Sequence, residues 1–318
     1  MLFPFYEAGE YGVWVFWCIS GFIFFWKYRA IIAERSIDGW TFFVYRLSRL
    51  YPLHLATLLL VALQPLYRAS HGFFFIYQNN DAIHFVAQLF MASDWLPPRS
   101  SSFNGPIWSV SVEVLVYAVF YLALRFVTTS PLLNIVVILA ALTVGAQVTT
   151  CFVFFYAGGL VAIARRAVSD TRHPRLVEMI AACASAILPI ALWLSVSDHA
   201  AFAGRLLLVT MPFLLFCSSG RLVLPHRIER LLETLGNMTY SCYLLHFPIQ
   251  LAFALGYSLA EQPIPYQNHL FWAGFILLTL AASHFTYRYF EAPSQQLIRA
   301  ILQRNRASGT EPVRPAAI

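Results

Sequence analysis

The chain has 318 residues, 59% of them hydrophobic and 11% charged, with a formal charge of +6 and a mean hydropathy of +0.65. Soluble domains carry about 25% charged residues, so this composition excludes an ordinary soluble fold. Apolar runs of about twenty residues recurring to the end predict an all-α, polytopic transmembrane helical bundle. The basic charge sits in short loops at span ends, with no basic stripe interleaved with aromatics, which excludes nucleic acid and leaves the lipid bilayer as partner.

In chain order, a short segment with Glu7 and Glu10 leads straight into the first span, with no cleavable signal peptide evident. Apolar runs between charged or Pro/Gly-rich breaks predict nine spans, near 12–28, 50–67, 106–127, 131–148, 150–166, 177–196, 203–218, 236–258 and 269–289. A tenth apolar stretch, 82–93, is shorter and bears His84; it crosses, lies at the interface or dips in. Charge decides between these. If 82–93 does not cross, all but Arg68, Arg99 and Arg205 of the 21 Lys and Arg fall on one side. The positive-inside rule then puts the N-terminus outside and the C-terminus in the cytoplasm. The outer segment 68–105, rich in Phe, Tyr, Asn, Ser and Pro, suits the cover of a substrate entrance. Residues 1–298 read as one transmembrane domain and 299–318 as a polar, disordered cytoplasmic tail. Five cysteines fall in apolar segments without ligand spacing, so neither a disulfide framework nor a metal site is expected.

The stretch from Phe103 to Leu124 sets Glu113 among apolar residues on a helix long enough to span. A carboxylate there costs a few kcal/mol, because hydrocarbon cannot solvate it. Ser109, Glu113 and Tyr117 recur every fourth residue and share one helix face, the mark of a site as well as a span. Arg46 and Arg49, one turn apart at the cytoplasmic mouth of a span, read either as a positive-inside flank or as a fork for one phosphate-bearing anion. Ser20 and Gly21 interrupt an aromatic helix, for close helix packing or to leave room for a ligand chain. His246 falls near mid-membrane with Tyr243 one turn earlier and Pro248 bending the helix; it is a proton-transfer candidate or a histidine satisfied by a backbone carbonyl. Arg288 and Glu291 read as an interfacial ion pair closing the bundle, ahead of catalysis. The loop histidines His71, His173, His199 and His226 receive no role.

Five pieces occur in one order: GVWVFWCISGF at 12–22, YRLSRLYPLH at 45–54, NGPIWSVSVEVLVY at 104–117, YSCYLLHFPI at 240–249 and YRYFEAP at 287–293. Together they resemble the membrane-bound acyltransferase 3 family, whose members move acetyl or other acyl groups onto sugars of surface polysaccharides and related acceptors. The resemblance implies an acyltransferase with acyl-CoA, most simply acetyl-CoA, as donor, a carbohydrate or glycolipid acceptor, and no bound cofactor. It implies catalytic roles for Glu113 and His246 and substrate contacts from Arg46, Arg49, Ser20, Trp108, Ser109 and Tyr243. The expected location is a bacterial inner membrane. The family also implies ten core helices, the first bearing an arginine and a histidine treated as central to catalysis. This sequence starts past the place of that helix, and nine spans with an outside N-terminus are what its absence would leave. The alternative readings are an inactive truncated paralogue or a subunit of a polysaccharide-modifying assembly, and, further off, a transporter of a small solute or lipid.

Overall fold

A computed structural model describes residues 9–63, 77, 79–95, 102–144, 147–193 and 199–308. The described residues form helices and no strands. In chain order these are α1 (Gly9–Ala33), α2 (Gly39–Val61), α3 (Ala82–Leu89), α4 (Ile107–Leu122), α5 (Pro131–Val144), α6 (Gln147–Ser169), α7 (Pro174–Trp193), α8 (His199–Cys217), α9 (His226–Leu259), α10 (His269–Thr286) and α11 (Ala292–Ser308). Two π-helical turns, Ala123–Val127 and Tyr287–Glu291, extend α4 and join α10 to α11. With those extensions, α1, α4, α6, α9 and α10 are long and apolar enough to cross a membrane. The chain is thus an all-α, polytopic transmembrane protein.

The other four expected spans are helical too, as α2, α5, α7 and α8. Asp38 accepts the Thr41 amide and starts α2 with an N-terminal cap. Helix α3 has eight residues, about 12 Å of rise against a hydrocarbon core near 30 Å, too short to span. Asp81 caps it by accepting the His84 amide at 2.9 Å, and bonds from His84 lower the Asp81 carboxyl below the usual range. Two boundaries differ from the sequence reading. Helix α9 begins at His226, ten residues ahead of the expected span, because HRIERLLETL is helical despite its charge. Helix α11 runs to Ser308, so 299–308 is not a disordered tail; Leu302 buries and the Arg299 guanidinium lies over the Tyr45 ring of α2, 5.4 Å from its centroid. Glu7, Arg68, His71, Arg99, Arg314, much of the outer segment 68–105, the span ends at 64–67, 145–146 and 194–196, and the tail from 309 lie outside the described residues.

The helices group into two compact units, Met1–Ser36 with Val112–Pro225 and Ile37–Ser111 with His226–Ile318. In the first, α1 and α6 run side by side and parallel: Trp14 meets Phe154 near one end, and Arg166 donates to the Trp26 carbonyl at 2.6 Å near the other. They touch closely because Gly21 faces the Phe155 carbonyl and Gly158 faces that of Cys18; a Cβ at either would overlap backbone. Rings of Phe24, Phe25, Phe120, Phe155 and Tyr156 pack edge-on or tilted around this contact. Charges collect at one end of the unit. There Arg29 donates to the Thr129 carbonyl, and the buried carboxylate of Glu178 is gripped by Arg165 and Arg221.

In the second unit, α2 and α9 run parallel, tied by the Tyr240 hydroxyl donating to the Leu50 carbonyl at 2.7 Å. Leu58, Val61, Phe103 and Phe247 make a buried cluster further along, covered by Tyr77, Phe85, Leu89 and Leu251. Helix α10 returns antiparallel to α9 through Phe253, Phe271 and Phe275. The Arg288–Glu291 ion pair does not form. Arg288 lies exposed near the Tyr289 ring, while Glu291 is buried, accepts the Ser241 hydroxyl of α9 and interacts electrostatically with Arg49 of α2. The cause is the π turn. Three residues apart subtend about 60° in an α-helix but roughly 115° in the wider turn, which parts the two side chains.

Candidate active site

In the first unit, the carboxylate read from the sequence has its partners in place. Glu113 is 3% exposed, and the Ser20 hydroxyl donates to its Oε1 at 2.5 Å. The Tyr117 hydroxyl lies 3.2 Å from the same Ser20 oxygen, and its ring stacks on Phe24 at 4.1 Å. The Phe24–Tyr117 stack joins α1 to α4 beside this pair, and Gly21, next to Ser20, holds α1 close against α6. Hydrogen bonds to a charged acceptor are short and strong, and in an apolar surrounding they hold the carboxylate in one orientation. The arrangement orients a polar group; among the described residues no cluster of His, Cys, Asp and Glu could hold a metal ion.

The second unit carries the remaining residues read from the sequence. Ser109 and Tyr243 share a hydrogen bond of 2.7 Å between hydroxyls, joining the first turn of α4 to α9. Trp108, beside Ser109, is half-buried. His246 interacts with the backbone carbonyls of Cys242 and Tyr243 one turn back, and its ring lies 5.9 Å from that of Tyr243. Half-buried Arg46 and exposed Arg49 stand on one side of α2, with Arg49 facing Glu291 and the Arg299–Tyr45 stack alongside.

Sequence reasoning missed a third group, also in the second unit. His54, Gln88 and Asn104 are 0%, 1% and 0% exposed. His54 Nε2 bonds to the Gln88 carbonyl at 2.7 Å, the Gln88 amide donates to the Ser102 carbonyl at 2.5 Å, and the Asn104 amide donates to Thr57 Oγ1 at 2.9 Å. Neutral polar side chains in apolar stretches leave no charge signal. The signal that was present was His54 itself, a titratable residue inside the conspicuous segment 45–54.

The class of this polytopic helical protein comes from sequence comparison. A family profile described as an acyltransferase domain matches residues 1–288; the chain belongs to the acyltransferase 3 family. Among curated proteins, acyltransferase MdmB of Streptomyces mycarofaciens is 31% identical over 125 residues, 39% of this chain and 30% of that protein. The match thus spans under a third of the length of that relative. No solved structure gives a significant match.

Proposed function

We propose that the protein is an integral membrane O-acyltransferase that moves a small acyl group, acetyl in the simplest case, from acyl-CoA to a hydroxyl of an envelope or exported carbohydrate. Family membership supports the reaction class. The observation that carries the site is Glu113, a buried carboxylate on an apolar helix held by Ser20. Such a group is retained where it pairs or does chemistry.

Arg46 and Arg49 bind the phosphates of the donor, since guanidinium forks match phosphate oxygens and lie one turn apart on α2. Glu113 orients the reacting groups. Its charge, kept in place by Ser20, favours a neighbouring donor proton and stabilises positive charge that develops during attack. His246, facing two backbone carbonyls, supports the bend of α9 ahead of Pro248. The reading places the protein in a bacterial inner membrane with its C-terminus in the cytoplasm.

The test is acyl transfer by the full chain in lipid nanodiscs, with radiolabelled acetyl-CoA and saccharide acceptors. Glu113→Gln keeps shape and removes charge, and is expected to lower kcat by about a hundredfold or more, the scale for losing a preorganised electrostatic group. Transfer at the wild-type rate in that variant would refute the role of Glu113.

A further inference from the structure

The charged end of the first unit treats its arginines in two ways. Arg165 and Arg221 share the buried carboxylate of Glu178. Arg29 and Arg166 share nothing of the kind. Arg29 of α1 donates from Nε and Nη2 to the Thr129 carbonyl, at 3.1 and 2.6 Å, so the chain just ahead of α5 fixes its fork. Arg166 of α6 donates to the Trp26 carbonyl at 2.6 Å and lies over the Trp26 ring, 5.1 Å from its centroid. Its positive charge acts on Arg29. Among the described residues neither arginine forms an ion pair, although Glu34 and Asp170 follow them closely in the chain. Two further cations add to the field at this end. Lys27 is exposed, and Arg125, on the π turn packed against α1, has a buried Nη1 without a hydrogen-bond partner.

A positive-inside flank needs only charge, spread singly in water. Here two forks are drawn together against their own repulsion and held by backbone carbonyls, with further N–H groups unused, which is a setting for a phosphate. The surface running from Trp26 toward mid-membrane narrows the choice. Phe16, Ile19, Ile23 and Trp26 are exposed, at spacings of three and four that keep them on one face of α1. Phe22 stacks on Trp26 at 5.9 Å, and a tryptophan at the end of a span marks the headgroup level. A soluble anion would use the guanidinium groups alone; a lipid uses the apolar face as well.

We propose that Arg29 and Arg166 hold the headgroup phosphate of an anionic phospholipid, whose acyl chains lie along Phe16, Ile19, Ile23 and Trp26. The proposal stands independently of the acyl-transfer reading. A zwitterionic headgroup brings a cation of its own into a field already positive from Lys27, Arg29, Arg125 and Arg166, so the anionic lipid is preferred. In the orientation set by the positive-inside rule this end faces the cytoplasmic leaflet, the one that carries negative surface potential. The phosphate bridges α1 and α6 at Arg29, nine residues along α1 from Ser20, or roughly 14 Å. It thereby clamps the end of the helix pair that Gly21 and Gly158 bring into contact, and a ligand bound only by the folded state stabilises it.

The experiment uses the full chain in a non-ionic detergent, titrated with phosphatidylglycerol or with phosphatidylcholine of the same acyl chains. Native mass spectrometry counts the bound lipids, and thermal unfolding is followed in parallel. One phosphatidylglycerol is expected to bind saturably, about tenfold more tightly than phosphatidylcholine, and to raise the unfolding midpoint. Arg29→Gln and Arg166→Gln each keep a hydrogen-bonding side chain and lose the charge. Each is expected to weaken phosphatidylglycerol binding about tenfold, the scale of one lost charged hydrogen bond, and to leave phosphatidylcholine binding unchanged. Arg175→Gln removes an exposed charge at the same end and should leave the preference intact. Equal affinities for the two lipids in the wild-type protein overturn the proposal, whatever the variants do. A preference that survives both arginine variants, or one lost as fully in Arg175→Gln, overturns it in favour of diffuse surface charge. Displacement of bound phosphatidylglycerol by millimolar inorganic phosphate or CoA assigns the pair to a soluble anion and overturns the lipid site. None of these readouts depends on acyl transfer, so a protein that transfers no acetyl group leaves the lipid test decisive.

Discussion

The contact between α1 and α6 offers a sharp test, because two glycines of similar helical setting have opposite expected responses. A Cβ added at Gly21 would lie 2.8 Å from the Cα of Phe155 and closer still to its carbonyl, and backbone cannot rotate away as a side chain can. Restoring normal carbon contacts near 3.5 Å requires the helices to part by roughly 1 Å. Overpacking of this kind costs about 1–3 kcal/mol, offset by up to about 1 kcal/mol from the better helix propensity of alanine. Gly21→Ala is therefore expected to lose up to about 2 kcal/mol of stability. At Gly236, in α9, an added Cβ meets nothing within 4 Å, so Gly236→Ala should gain about 0.5–1 kcal/mol. Unfolding in mixed detergent micelles, followed by circular dichroism, reads both. Gly21→Ala also displaces Ser20 from Glu113, and a misplacement of about 1 Å is expected to lower transfer roughly a hundredfold. A Gly21→Ala protein as stable as Gly236→Ala would refute the close-contact argument.

Other expectations are more local. Glu178→Ala leaves Arg165 and Arg221 without their shared carboxylate and should destabilise the first unit by about 2–4 kcal/mol, read by the same unfolding assay. Arg46→Ala and Arg49→Ala should each raise the KM for acetyl-CoA about tenfold with a smaller effect on kcat, as expected where a charged contact to a donor phosphate is lost; an unchanged KM would assign them to topology alone. Asp81, whose carboxyl is lowered by bonds from His84, holds the start of α3 at neutral pH. Its contribution is present above the ordinary carboxylate range and disappears as pH falls through its lowered value. Amide exchange at His84 should therefore accelerate in strong acid, and Asp81→Asn should flatten that response.

Charged residues and the hydroxyls on their helix faces stood out in the sequence, and the buried amides did not. Glu113 announced itself because a carboxylate inside an apolar run has few bland explanations, and Ser20 stood out as a polar break in an aromatic helix. That the two bond to each other, 93 residues apart, was not legible, since it depends on how α1 packs against α4, which no local pattern records. Gln88 and Asn104 gave no signal because a neutral amide changes hydropathy little and its partners, backbone carbonyls and Thr57, have no sequence pattern. Arg288 and Glu291 misled for a geometric reason. Spacing rules assume 3.6 residues per turn, and nothing in YRYFE shows that this turn is wider. The early start of α9 was missed because charge was read as loop, whereas Arg227, Glu229, Arg230 and Glu233 are all compatible with an exposed helix.

The wide turn at Tyr287–Glu291 also bears on how this chain tolerates changes in length. A π turn is a helix carrying one residue more than its neighbours require, taken up locally without rotating the helix beyond it. Removing a single residue there would tighten the turn to ordinary pitch and leave α11 seated against α2, with the damage confined to the aim of Glu291. The same deletion two turns earlier, in α10, would swing every later side chain by about 100°. Sequences descended from this one should therefore lose or gain a single residue at Tyr287–Glu291 far more readily than anywhere else between Asn268 and Arg304.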